Sequence, residues 1–136
     1  MVEIRACLDV DDMKKALAFY TQALGLTLGR RFDDDWVELR GGSCVLDLLG
    51  KKSGSQPFPL AGSGRDYRRH WTPVHLDFVV EDIDAAVQRA QAAGAKLEKD
   101  IEEKIYGRLA LMSDPFGHGF CFLEFRGGGY DEINKK

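Results

Sequence analysis

Two stretches of this chain carry the same succession of signals 70 residues apart, and that repeat limits the fold more than any other feature. Val10-Asp11-Asp12-Met13 matches Val80-Glu81-Asp82-Ile83. In each copy an apolar segment runs into acidic residues whose side-chain oxygens suit the free N–H groups of a helix start. Met13, Ala16, Leu17, Tyr20 and Leu24 then follow at helical spacing, as do Ile83, Ala86, Val87 and Ala90 in the second copy. Gly25 and Gly94 stand where left-handed caps belong, 69 residues apart, so the second helix is one residue shorter. A strand–helix–strand unit recurring in order predicts two copies of one supersecondary module.

Each helix is followed by strand-like segments. In the first copy, 4–10 precedes the helix, and 26–32, 36–39 and 44–49 follow it. In the second, 73–80 precedes it, and 96–105, 108–112 and 120–125 follow. Asp33-Asp34-Asp35, Gly41-Gly42, Tyr106-Gly107 and the run Asp114 to Gly119 mark the turns. Gly, Ser and Pro accumulate over 51–70, which reads as a connection, either a linker between the copies or a flap over a pocket. Gly127-Gly128-Gly129 opens a tail expected to be mobile. The expected organisation is one domain over 1–136, with module one at 1–50, linker 51–70, module two at 71–126 and tail 127–136.

Composition narrows the partners. A net charge of −3 gives no electrostatic reason to expect nucleic acid or an anionic membrane. Arg65, Arg68 and Arg69 read as a solvated loop. No apolar run approaches the ~20 residues that span a bilayer. The N-terminus lacks a signal-peptide pattern, so the expected location is the cytoplasm. Cys7, Cys44 and Cys121 are scattered with no CxxC pair, which speaks against a structural zinc site and for small buried apolar side chains.

Three motifs in order, Ala18-Phe19-Tyr20-Thr21-Gln22-Ala23-Leu24-Gly25-Leu26, His75-Leu76-Asp77-Phe78-Val79-Val80-Glu81-Asp82 and Asp114-Pro115-Phe116-Gly117, give the chain a resemblance to the vicinal oxygen chelate superfamily. That group includes glyoxalase I, extradiol dioxygenases and the bleomycin-resistance proteins. The resemblance covers residues 3–126. It implies an α+β fold of two βαβββ modules whose sheets form a half-open barrel around a cavity, and a homodimer. In metal-dependent members the cavity holds a divalent ion that stabilises negative charge developing on the substrate. Other members bind a small molecule without metal.

Carried over through these motifs, the four ligand positions of the superfamily fall on Arg5, Asp47, His75 and Cys121. Only His75 is of the usual type. Asp47 offers oxygen and Cys121 a thiolate, but a guanidinium has no lone pair to donate and repels a cation. Arg5 therefore disfavours a metal. Glu124 is a better ligand by chemistry than Cys121, but three residues along a regular strand it faces the other way unless a bulge intervenes. His70 could approach from the loop. Arg5 and Asp47 could instead form a bidentate pair that binds an anionic or oxygen-rich ligand, or simply fill the cavity. His75 could act as a general base oriented by Asp77, which shares its strand face. Trp36, Trp71, Phe120 and Phe122 supply aromatic surface for core or ligand.

The expected function is thus a glyoxalase- or bleomycin-resistance-like protein binding a small molecule through Arg5, Asp47, His75, Cys121 and Glu124. The alternatives are a glyoxalase I-like lyase or isomerase with an atypical metal site among His75, Asp47, Cys121 and Glu124, and a dimeric module with a filled cavity.

Overall fold

The structure is a computed structural model that describes residues 1–135. Two compact units emerge, one over Met1–Arg68 and one from Arg69 onward. The first runs β1 (Arg5–Val10), α1 (Met13–Leu24), β2 (Thr27–Asp33), β3 (Trp36–Arg40) and β4 (Val45–Gly50). Its sheet has the order β1-β4-β3-β2, with β1 parallel to β4 and the other pairs antiparallel. The second unit runs β5 (Leu76–Val79), α2 (Ile83–Ala93), β6 (Lys96–Leu97), β7 (Glu102–Lys104), β8 (Gly107–Ser113) and β9 (Gly119–Phe125). Its sheet repeats the arrangement as β5-β9-β8-β6, with β7 also on β8. Neither sheet closes on itself, and the α+β architecture is the one the repeat implies. Among the described residues no helix is long and apolar enough to cross a membrane.

Both helices start as their sequences dictate. Asp12 accepts from Lys15 N–H at 3.0 Å and Asp82 from Ala85 N–H at 3.1 Å, each relieving one orphan donor of the first turn. The buried face of α1 (Ala16, Phe19, Tyr20, Ala23) belongs to the same core as Val37, Leu39, Leu46 and Leu48. Period-two alternation then sends Trp36, Glu38, Arg40 and Asp47 to the opposite face of the first sheet. In the second unit Phe78 packs against Phe120 and Phe122 at 5.6 and 6.3 Å between ring centres, so these two aromatics belong to the core. Asp77 and Cys121, adjacent in register, lie on the other face.

The structure corrects three expectations. Cys7 and Cys44 are exposed rather than buried, unlike Cys121. The strand expected over 73–80 is shorter, and His75 lies just before β5. Pro73 cannot donate to a ladder, and Thr72 Oγ1 instead turns back onto Val74 C=O at 2.5 Å. The strand expected over 96–105 is an interrupted edge. Between Leu97↔Met112 and Glu102↔Leu109 it advances five residues while β8 advances three, so the surplus loops out. Within the tail, residues Gly129–Ile133 form a 3₁₀ turn, with Tyr130 5.0 Å from Tyr106 and 4.7 Å from Phe125 between ring centres. The connection after β4 folds back onto the first unit. Gly54 and Ser55 pair with Arg65 through backbone bonds of 2.7 and 2.9 Å, Arg65 Nε reaches Asp9 at 2.6 Å, and Tyr67 OH donates to Lys51 C=O at 2.7 Å.

Gly107 shows how closely β8 and β9 approach. Its φ is +147°, and a Cβ there would sit inside the Glu124 carbonyl. Gly107→Ala is expected to destabilise the fold by about 2–4 kcal/mol, combining backbone strain with overpacking. Urea unfolding followed by circular dichroism checks it; an unchanged midpoint would contradict the close approach.

Candidate functional site

The outward face of the first sheet is built around a buried carboxylate. Glu38 on β3 has no exposed surface, although it points away from the helix side. Three guanidiniums enclose it. Arg30 contributes its Nε at 2.8 Å, its Nη2 at 3.0 Å and its backbone N–H at 3.0 Å. Arg40 contributes its Nε at 3.1 Å, and Arg5 its Nη2 at 3.1 Å. Local irregularity makes this possible. The β2–β3 register slips between Leu28↔Leu39 and Arg31↔Val37, a bulge that brings both the backbone and the side chain of Arg30 to Glu38. Gly29 leaves the room: a Cβ there would meet Glu38 Cγ and Oε1 at 2.9 Å each.

Asp47, 3% exposed, lies beside Glu38 in register. Arg5 grips it with two bonds, Nε to Oδ2 at 3.1 Å and Nη2 to Oδ1 at 2.8 Å. Cys7 Sγ also approaches Asp47, at 3.8 Å. Hydrogen bonds from Arg30, then from Arg5 and Arg40, hold the Glu38 carboxyl well below its ordinary value, against the opposing effect of burial. Its bonds to Asp47 and then Glu38 hold Arg5 firmly protonated. Three cations against two anions leave the cluster with one net positive charge. Arg5, Arg30 and Arg40 each use Nε and Nη2 here, so among the described residues their Nη1 groups remain free to donate outward. Their side chains are 32%, 63% and 52% exposed. An open groove of about 780 Å³, lined by residues 1–4 and 40–45, touches the cluster only at Arg40.

The second unit gathers a different set. His75, Asp77 and Cys121 bring one nitrogen, one oxygen and one sulfur within 4.8 Å of one another. His75 Nε2 lies 3.3 Å from Asp77 Oδ1, and the Trp71 ring meets the imidazole edge-on at 5.6 Å. Cys121 is buried while His75 and Asp77 are exposed. Burial, with the neighbouring Asp77 carboxylate, pushes the Cys121 thiol up to about 11. Burial and the Asp77 charge also raise Tyr130.

The expected residues therefore sort into two clusters, Arg5 with Asp47 and His75 with Cys121, each in its own unit. Glu124 joins neither, which corrects its candidacy as a ligand. The β8–β9 register is unbroken, so alternation puts Glu124 on the helix face. There it accepts from Ile83 N–H at 2.8 Å and from Arg126 Nε at 3.1 Å, serving the start of α2. His70 is not part of the His75 cluster. Glu38, Arg30 and Arg40 were not expected. Their only signal in the sequence is Glu38 alternating with Arg40 and lying a hairpin away from Arg30.

A family model described as a glyoxalase-like domain matches residues 5–123. The Mycobacterium bovis protein Mb0911c is 33% identical over 122 residues, covering 80% of this chain and 74% of that one. The anthracycline biosynthesis protein DauV of a Streptomyces species is 32% identical over 119 residues, and the match covers 85% of this chain but 38% of DauV. The solved structure of the hypothetical protein SA1046 from Staphylococcus aureus superposes with a TM-score of 0.72 at 22% identity, covering 91% of this chain and 95% of that one, which shows a common fold. The chain belongs to the glyoxalase-like family, within the vicinal oxygen chelate superfamily.

Because Glu38 has a lower carboxyl pKa folded than unfolded, the unfolded chain binds the extra proton as pH falls. Stability from Glu38 is present above its ordinary value of 4.5 and is lost as pH drops through the depressed folded value. Glu38→Gln is expected to melt well below the parent at pH 7 and to lose less on further acidification. Thermal melts between neutral and strongly acid pH check both slopes; parallel curves would contradict the assignment.

Proposed function

We propose that this chain is a binding member of the glyoxalase-like family that takes a small anionic molecule on the arginine-bearing face of its first sheet, without a metal there. The observation that supports this reading is Arg5, locked onto Asp47 and Glu38 at a position where metal-dependent relatives need a lone pair. The carboxylate oxygens that could have served a cation already accept from guanidiniums. The free Nη1 edges point the other way chemically: they donate to carboxylate or other oxyanion groups.

A second reading rests on the other cluster. His75, Asp77 and Cys121 are a donor set that suits zinc, with three protein ligands leaving a further position open. An ion held by these residues would supply Lewis-acid chemistry of the kind a lyase or isomerase resembling glyoxalase I needs. On this reading Asp77 takes the place expected of Glu124.

Two measurements separate the readings. Protein dialysed extensively is expected to carry no stoichiometric divalent ion, and acetate is expected to shift the guanidinium NMR signals of Arg5, Arg30 and Arg40. Arg30→Gln should weaken acetate binding several-fold, in line with one lost charge-assisted hydrogen bond. A stoichiometric ion released by Cys121→Ser, with arginine signals unmoved by acetate, would replace the first reading by the second. Cobalt substitution adds a direct check, since a thiolate-to-metal absorption band would report ligation by Cys121.

A further inference from the structure

An aromatic pair lies on the same outward face as the arginines. Trp36 precedes Glu38 by two residues on β3 and so shares its face. Phe32 on β2 meets Trp36 at 4.3 Å between ring centres, tilted by 38°. Both rings are 42% exposed, unlike the core aromatics of either unit. Arg30 joins the two features. Its guanidinium carbon lies 5.3 Å from the centre of the Phe32 ring, while its Nε and Nη2 hold Glu38.

Building on the anion-binding reading, we propose that the ligand of this face is a planar aromatic carboxylate, with its ring on Phe32 and Trp36 and its carboxylate on the free Nη1 edges of Arg30 and Arg5. Arg30 sets the spacing: its guanidinium carbon lies 5.3 Å from the centre of the Phe32 ring, so a flat ligand lying along these rings brings a carboxylate on its rim within hydrogen-bonding reach of the guanidinium. Exposed aromatic rings gain from stacking on a flat partner, and an arginine at their edge gains from an anion there. A small aliphatic acid would use only the arginines. A neutral arene would use only the rings and leave the guanidiniums facing it unpaired.

The test uses the full chain with 1-naphthoate, acetate and 1-naphthalenemethanol, followed by calorimetry and by the Trp36 indole N–H signal. Naphthoate is expected to bind at least about tenfold more tightly than either other probe, and Trp36→Ala to cost it about tenfold while leaving acetate unchanged. Arg30→Gln should weaken naphthoate and acetate together, and Trp71→Phe should alter neither. In the unaltered protein, naphthoate but not acetate should shift the Trp36 indole signal by its ring current, a result independent of how any variant folds. If acetate moves the arginine signals but naphthoate binds no better than acetate, the aromatic class is wrong and the anion site stands. If neither acid moves the arginines, both fall. Equal binding of naphthalenemethanol and naphthoate would overturn the role given to the carboxylate.

Discussion

The first unit depends on one carboxylate kept out of water on the side of a sheet that normally faces it. An ionised Glu38 without partners there would be prohibitively costly, so its place is tenable only because cations surround it. The partners come from every strand of that sheet: Arg5 from β1, Arg30 from β2, Arg40 from β3 itself, and Asp47 on β4 through Arg5. The network thus ties the four strands together on the face opposite α1. Guanidiniums fixed by inward bonds have little side-chain freedom left to lose when their remaining N–H groups donate.

Much of the scaffold was legible because its determinants are local. Asp12 and Asp82 cap helices through side-chain chemistry that needs nothing distant, and Gly25 and Gly94 end them through backbone angles open to glycine. Strand parity was also legible. It predicts that Glu124 faces away from Cys121, and the unbroken register of β9 leaves no bulge to reverse that. What failed depended on partners far along the chain. The break between β6 and β7 is a matter of counting against β8, and nothing within 96–105 records it. The contacts of Tyr130 with Phe125 and Tyr106 likewise join residues that no local pattern around 127–129 pairs.

The heart of the site was illegible for the same reason. In Trp36-Val37-Glu38-Leu39-Arg40 the alternation reads as a half-buried strand with a wet face, and a glutamate on that face needs no explanation. Its burial is created by Arg5, 33 residues away, and by a bulge at Gly29 and Arg30 that propensity cannot announce. Arg5 and Asp47, by contrast, came from the resemblance to the vicinal oxygen chelate superfamily, whose ligand positions fall on them and carry long-range information that a single segment lacks.

The repeat also shows how one scaffold came to present two chemistries. Cys7 and Asp77 occupy matching places, each directly opposite the residue that matches its partner's, Asp47 in one unit and Cys121 in the other. Beyond that residue, on the next strand, stand Glu38 and Leu111. A buried glutamate demands cations, and Arg5, Arg30 and Arg40 supply them, with the neighbouring Asp47 held by Arg5 in the same network. A leucine makes no such demand, and beside it Asp77, Cys121 and His75 lie within reach of one another. The two faces thus differ in residue chemistry, a buried glutamate among arginines in one and a leucine beside His75, Asp77 and Cys121 in the other, while the aspartate caps, the glycine stops and the core strand order are common to both.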